Sequence, residues 1–334
     1  MNSMKKKQKV AIIGSGSWAT AIAKMLLLNV SQINWYMRNA SSIEYMLQFQ
    51  HNPKYLSSVY FDTGRINFYN ELKKVISESE ILIFAVPSVF LNDMLAHSEI
   101  NLKDKLVVSA IKGIIPEHNQ TIAEFFNQQF NVPFDRIGII TGPCHAEEVA
   151  LERLSYLTIA SKTEEQARKL ASLLESYFIR TVISSDIYGT EYAAVLKNIF
   201  AIAAGVCHGL GYGDNFQAVL ISNSISEIKR FLDHSYPSMR TIDSSAYLGD
   251  LLVTAYSQFS RNRAFGVMIG KGYSVRAAIL DMNMIAEGYY ATRCIKEINK
   301  KFNVDMPITE TVYNILYEGI SPAIEIKLLT QQLD

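Results

Sequence analysis

Short apolar runs alternate with stretches of helical spacing through the first half of the chain. Residues 9–13 predict a strand and 18–28 a helix with apolar residues three and four apart. A second strand follows at 33–37 and a short helix at 42–50. Further strands are predicted at 80–86, 105–111 and 136–141, with helical material such as 121–130 between them. Segments 157–160, 164–177 and 180–184 complete this half as strand, helix and strand. Such alternation predicts a doubly wound α/β domain, a parallel sheet covered on both faces. From about residue 187 the pattern turns to long apolar or amphipathic helices, at 190–205, 216–234, 248–258, 274–280, 287–302 and 308–317. The chain therefore divides into a Rossmann-type domain over 1–187 and an all-helical domain over 188–334.

At 334 residues there is room for two cores. Lysine plus arginine equals aspartate plus glutamate at 32 each, so nothing in the total charge points to nucleic acid or a membrane surface. Any anion site must be a local basic cluster. Cys144, Cys207 and Cys294 are odd in number and far apart, which reads as reduced thiols of a cytoplasmic protein, and no metal-ligand spacing occurs. Lys5-Lys6-Lys7 before Val10-Ala11-Ile12-Ile13 imitates a signal peptide, but Gly14-Ser15-Gly16-Ser17 cuts the apolar run too early. No other stretch reads as a membrane span.

Gly14-Ser15-Gly16-Ser17-Trp18-Ala19 follows a predicted strand and opens a predicted helix, the GxGxxA arrangement of a dinucleotide-binding loop. Gly14 permits the tight turn, Gly16 lets backbone approach a pyrophosphate, and Ala19 lets helix and strand pack closely. The acidic residue expected about 20 positions on is missing. Met37-Arg38-Asn39 stand there, and Arg38 suits a 2′-phosphate, so NADP(H) is accepted beside NAD(H). Other strand ends supply Ala85-Val86-Pro87-Ser88, Lys112 and Gly142-Pro143-Cys144-His145-Ala146. Cys144 and His145 imitate a nucleophile and base, but adjacent residues rarely point at each other.

Lys197-Asn198 lies inside a very apolar predicted helix, where an ammonium is costly unless paired and its pKa falls toward the range useful for proton transfer. A lysine snorkelling from an interface helix fits the same pattern. Asn198 could hold a hydroxyl or orient the lysine. Ser260-Arg261-Asn262-Arg263 suits phosphate recognition, the alternative being a helix-capping turn with solvated arginines. Asp250 and Thr254 share a helix face and could address Lys197 or substrate hydroxyls.

The segments GSGSWATAIA, HNPKYL, VVSAIKG, TGPCHAEEVA, LKNIFAIAAGVCHGLGYGDNFQAVLI, GDLLVTAYSQFSRNRAFG, AEGYYAT and MPITETVY together resemble the NAD(P)-dependent glycerol-3-phosphate dehydrogenases of the bacterial type. The resemblance implies a Rossmann-type domain, a helical domain and a site between them. It implies reversible reduction of dihydroxyacetone phosphate to sn-glycerol 3-phosphate for glycerophospholipid synthesis, in the cytoplasm, with a homodimer among the open states. It places Lys197 at the catalytic position, and Lys112, Gly142, Cys144, Asp250, Ser260, Arg261 and Asn262 at substrate contacts. It places Ser17, Trp18, Arg38, Tyr55, Lys112, Ala146, Arg261, Ile285 and Glu287 at cofactor contacts. Cys144 replaces a usual Ser or Thr, His145 a usual Phe, Ala19 the third glycine, and Tyr247 a glycine before Leu248-Gly249-Asp250. The alternatives are a related dehydrogenase of another small hydroxy acid and a catalytically silent dinucleotide sensor.

Overall fold

The computed structural model describes residues 9–96, 100–282 and 284–334. Lys5-Lys6-Lys7, read above with the N-terminal apolar run, lie outside the described residues. Eight strands form one sheet: β1 Val10–Ile13, β2 Ile33–Tyr36, β3 Ile66–Tyr69, β4 Ile81–Phe84, β5 Leu106–Ser109, β6 Ile137–Thr141, β7 Ser155–Ser161 and β8 Ile179–Ser184. Their order is β3-β2-β1-β4-β5-β6-β7-β8, parallel throughout except that β7 runs antiparallel to β6 and β8 follows β7. The expectation of a parallel sheet thus holds for its first six strands and is corrected at β7. The reversal is sterically simple: β6 and β7 are joined through a short helix rather than a full crossover.

Among the described residues the strands are accompanied by the helices α1 Ser17–Asn29, α2 Ala40–Phe49, α3 Leu72–Ser77, α4 Leu91–Ala96, α5 Ile122–Phe130, α6 Ala146–Ala150 and α7 Glu164–Leu174. Strands β1, β2 and β4 are buried along their whole length, because helices cover both faces. The continuous apolar runs of the sequence have that cause. Two cores result, one around Ile12, Trp35 and Leu170, the other around Ile13, Phe84 and Phe126.

The C-terminal half contains no strand among the described residues. Its helices are α8 Ile187–Gly209, α9 Asp214–Ser235, α10 Asp250–Tyr256, α11 Arg261–Gly270, α12 Val275–Asp281, α13 Glu287–Asn299, α14 Pro307–Leu316 and α15 Pro322–Leu329. A π-turn, Ser245–Gly249, leads directly into α10. All but three of the 23 residues of α8 are buried, and α9, α10, α11, α13 and α14 pack against it. By length and composition α8 is apolar enough to cross a membrane, contrary to the expectation that no stretch is. In the fold it is the central core helix, with 89% of its apolar window enclosed by protein.

Glycine sets how closely α11 approaches α8. A Cβ on Gly266 would fall 2.1 Å from Ile202 O, and one on Gly205 would fall 2.1 Å from Arg263 O. One turn on, Gly209 and Gly270 repeat the pattern, with hypothetical Cβ atoms 2.5 Å from Val267 O and 2.4 Å from Val206 O. Backbone therefore packs on backbone, which seats the first turn of α11 beside Asn198.

Candidate active site

The carboxyl ends of β1, β4, β5 and β6 are in register, with Ile13 beside Phe84, Phe84 beside Ser109 and Ser109 beside Ile139. The loops that follow open along one edge. The chain order reverses between β1 and β4, the crevice where doubly wound sheets bind ligands.

The glycine-rich loop leaves β1 there. Gly14 has φ +130°, and a Cβ on it would fall 2.4 Å from Ala85 O. Gly16 is different: nothing lies within 4 Å of its hypothetical Cβ, so its backbone faces open space. Gly16 precedes α1 without a side-chain cap, and the first turn carries no acidic residue, which leaves its N–H groups and positive dipole end to an anion. Ser17 and Ala19 are buried. Trp18 Nε1 is buried without a partner, an orphan donor beside that loop. These features fit a bound dinucleotide.

Two residues not named as candidates hold the loop in shape. Trp35 Nε1 donates to Gly14 O at 2.7 Å. The Asn52 amide donates to Ser15 O at 3.1 Å and to Thr20 Oγ1 at 2.9 Å. Asn52 Oδ1 also accepts from the Lys54 and Tyr55 backbone N–H groups, so Tyr55 is anchored through its backbone with its ring half-buried. The HNPKYL segment carried the signal for Asn52. Arg38 is exposed just past β2 and makes no hydrogen bond or ion pair among the described residues.

The densest electrostatics lie between the two halves of the chain. Lys197 is 3% exposed and Asp250 is 1% exposed. Lys197 Nζ lies 2.5 Å from Asp250 Oδ1, and Lys112 Nζ lies 3.5 Å from the same oxygen. Neither carboxylate oxygen is in a well-aligned hydrogen bond, so these are close charge contacts. Burial pulls the Lys197 pKa down to about 7, helped by the Lys112 charge and opposed by Asp250. Snorkelling is thereby excluded, because the ammonium itself is buried. Lys112 Nζ also donates to Gly142 O at 2.8 Å and lies 5.9 Å from the Trp18 ring centre. A single lysine thus touches the β6 turn and Asp250, and lies over the ring of the glycine-rich loop's tryptophan. Gly142 has φ +105°, which favours glycine at that turn.

Asn198 and Thr254 are differently employed than expected. The Asn198 amide donates to Lys112 O at 2.7 Å, and its Oδ1 accepts from Asn262 Nδ2 at 2.9 Å. Asn198 therefore fixes the main chain at Lys112 rather than orienting Lys197. Asn262 Oδ1 accepts from Gly288 N at 2.9 Å, extending the chain of bonds to α13. Thr254 Oγ1 donates to Asp250 O at 2.6 Å within its own helix, so it does not reach Lys197. Ser260 caps α11 by accepting from Arg263 N at 3.3 Å. Arg261, next to that cap, is exposed at the site's rim. Capping turn and basic cluster are one feature.

Glu287 opens α13 and is bound by Ser88, whose N–H donates to Oε1 at 2.9 Å and whose hydroxyl donates to Oε2 at 2.5 Å. Desolvation raises the Glu287 pKa, and the Ser88 bonds and the Arg261 charge oppose it. This contact ties the end of β4 to the helical half through the Ser88 side chain as well as its backbone, where the sequence suggests only backbone near a cofactor. Ile285 is half-buried and lines a small apolar recess with Phe265 and Tyr289. Ala146, at the start of α6, is buried. Burial pushes the Cys144 thiol up to about 12, which removes the thiolate a nucleophile needs. Burial, Lys112 and Lys197 hold His145 at about 4, neutral at physiological pH. The Cys-His imitation of a catalytic pair has no chemical substance.

Comparison with known proteins accords with this geometry. Residues 9–167 match the model of the NAD-dependent glycerol-3-phosphate dehydrogenase N-terminus, and residues 186–327 match that of its C-terminus. The glycerol-3-phosphate dehydrogenase (NAD(P)+) of Bacillus subtilis (strain 168) is 34% identical over 316 residues, 93% of this chain and 91% of the relative. That of Exiguobacterium sp. is 35% identical over 325 residues, 97% of this chain and 95% of the relative. The crystal structure of glycerol-3-phosphate dehydrogenase from Coxiella burnetii superposes with a TM-score of 0.89 at 27% identity, covering 97% of this chain and 99% of that one.

Proposed function

The chain belongs to the NAD-dependent glycerol-3-phosphate dehydrogenase family, and from that premise we propose that it interconverts dihydroxyacetone phosphate and sn-glycerol 3-phosphate with NAD(H) or NADP(H). Residues 1–187 form the dinucleotide domain and 188–334 the substrate domain in this reading. Gly14, Gly16, Ser17 and Trp18 would hold the dinucleotide phosphates, with Arg38, Tyr55, Ala146, Ile285 and Glu287 around the rest of it. A reduced nicotinamide held there would supply the hydride for the substrate carbonyl carbon.

The protein's own part is the proton. Hydride addition leaves an alkoxide at C2, and the buried Lys197 ammonium donates a proton to that oxygen. In the oxidative direction the neutral amine takes the same proton back. A pKa of about 7 makes both forms accessible near neutrality, which suits a reversible reaction. Before transfer, the positive charges of Lys197 and Lys112 stabilise the developing oxyanion in a site from which water is largely excluded. Asp250 keeps Lys197 protonated against its desolvation. Arg261, with Ser260, Asn262 and the N-terminal end of α11, would take the substrate phosphate, for which the guanidinium fork is well matched. Asn262 retains one amide hydrogen after bonding Asn198. The Gly142 turn and Cys144 would line the substrate through backbone, since the buried thiol offers no hydroxyl-like donor.

The observation that carries this reading is the Lys197–Asp250 contact of 2.5 Å at the strand ends. A dinucleotide sensor has no use for a lysine held so close to neutrality. The three described cysteines are all free and buried, which supports a reducing, cytoplasmic setting. In that setting the product would serve glycerophospholipid synthesis. Loss of NADPH or NADH absorbance on addition of dihydroxyacetone phosphate is the expected result. An inactive wild-type protein with both cofactors would overturn the proposal.

A further inference from the structure

Asp186 stands immediately before α8, and its carboxylate gathers donors from three parts of the helical half. Oδ1 accepts from Gly189 N at 2.9 Å, capping α8. Oδ2 accepts from Arg240 Nε at 2.5 Å and from the Tyr247 hydroxyl at 2.6 Å. Arg240 Nη2 also donates to Tyr236 O at 2.5 Å, at the end of α9. The hub is nearly dry, with the Arg240 side chain 4% exposed and that of Asp186 16% exposed. Even Gly189 is shaped to it, since a Cβ there would fall 2.0 Å from Asp186 Oδ2.

Both members of the charge pair hang from this hub. Lys197 lies on α8, about three turns beyond its Asp186 cap. Tyr247 lies in the π-turn Ser245–Gly249, and Gly249 has helical backbone (φ −61°, ψ −45°) that continues without a break into α10. Tyr247 and Asp250 therefore ride on one rod, three residues apart. A π-turn is a rare, wide form that needs outside support and is found often at functional sites. The geometry points to Tyr247 as a positioning residue: its hydroxyl, by binding the carboxylate that caps α8, sets the rotation of the rod that holds Asp250 against Lys197. This inference rests on the activity proposed above.

The charged and titratable groups facing Lys197 are Asp250 from α10, Lys112 from the segment after β5 and His145 from the loop before α6. Of these, Asp250 favours the protonated lysine, while Lys112 disfavours it and His145 is neutral. The groups facing Asp186 are Arg240 and Tyr247. Loosening the Tyr247 anchor lets Asp250 retreat, so Lys197 loses its proton at lower pH. Reduction of the ketone needs that proton, so the alkaline limb of its pH profile moves downward.

The test compares Tyr247→Phe with Tyr317→Phe, which removes a half-buried tyrosine hydroxyl that donates to Tyr289 O at 2.6 Å and makes no hydrogen bond to this hub among the described residues. The measurement is kcat/KM for dihydroxyacetone phosphate against pH, with thermal unfolding alongside. Tyr247→Phe should move the alkaline limb down by about half a unit to one unit, a loss of roughly 3- to 10-fold on that limb with acid-side activity retained. Tyr317→Phe should lower thermal stability and leave the limb in place. A wild-type limb in Tyr247→Phe, or an equal loss at every pH, would overturn the positioning role. An inactive wild type would instead overturn the activity. The shift is then read on the free protein, as the titration of the Lys197 side-chain carbon by NMR, and an unshifted titration refutes the inference.

Discussion

Replacing Gly266 with alanine opposes two effects of known sign. Alanine is the better helix former by about 1 kcal/mol, so local propensity alone says that α11 should gain stability. The crossing with α8 says the reverse. The added methyl would sit 2.1 Å from Ile202 O and 2.9 Å from Val206 N, both backbone atoms that cannot rotate away. Restoring ordinary contact requires the helices to part by about 1 Å or more. Such overpacking costs roughly 1–3 kcal/mol. Parting the helices also strains the buried Asn262–Asn198 bond of 2.9 Å, and an unsatisfied buried amide costs about 1–3 kcal/mol more. The net expectation is a destabilisation of roughly 1–5 kcal/mol, read by urea or thermal unfolding. Function should suffer with it, because Ser260, Arg261 and Asn262 stand on the displaced end of α11. A shift of this size can raise KM for the phosphorylated substrate roughly tenfold or more. A Gly266→Ala protein as stable as wild type, with unchanged KM, would refute the close crossing and its role in placing the phosphate-binding turn.

Other variants separate the remaining roles. Asp250→Asn removes the charge that favours protonated Lys197, so its pKa falls below about 7 and the alkaline limb of the reduction profile moves to lower pH; a limb moving upward would contradict the assignment. Arg261→Ala should raise KM for dihydroxyacetone phosphate by about 10-fold or more, given the roughly 1.5–3 kcal/mol of a charge-assisted bond, and an unchanged KM in steady-state assays would move the phosphate site elsewhere. Arg38→Ala should lower kcat/KM for NADPH more than for NADH, since only the former carries the 2′-phosphate; equal losses would remove Arg38 from that role.

Much of this arrangement could be read from residue order, and the exceptions have physical causes. The strand–glycine–helix passage at residues 9–29 is local, so period and turn chemistry sufficed. Lys197 stood out because a single charge interrupts an apolar run. Helix α11 shows in the sequence only as a basic turn, because its packing face is built on Gly266 and Gly270, which carry no hydrophobic signal. Strand β3 escaped because it lies at the sheet's edge, where Asn67 is exposed and Phe68 and Tyr69 are only half-buried. The reversal at β7 was invisible since buried parallel and antiparallel strands share one apolar pattern. Asn52 and Trp35 shape the glycine-rich loop from 20 to 40 residues away, through polar atoms that periodicity does not register. Tyr247 departs from the family pattern in the sequence, but its partner Asp186 is 61 residues distant and only the fold joins them.

The central claim is that Lys197 supplies the proton without holding the cofactor. Single-turnover reduction of dihydroxyacetone phosphate by Lys197→Ala, with NADPH affinity measured on the same protein, tests it most directly. Loss of a general acid should slow the step by roughly 10²- to 10⁴-fold, while NADPH binds within a few-fold of wild type. A variant that reduces the ketone at near wild-type rate, or that fails only because NADPH no longer binds, would contradict the account.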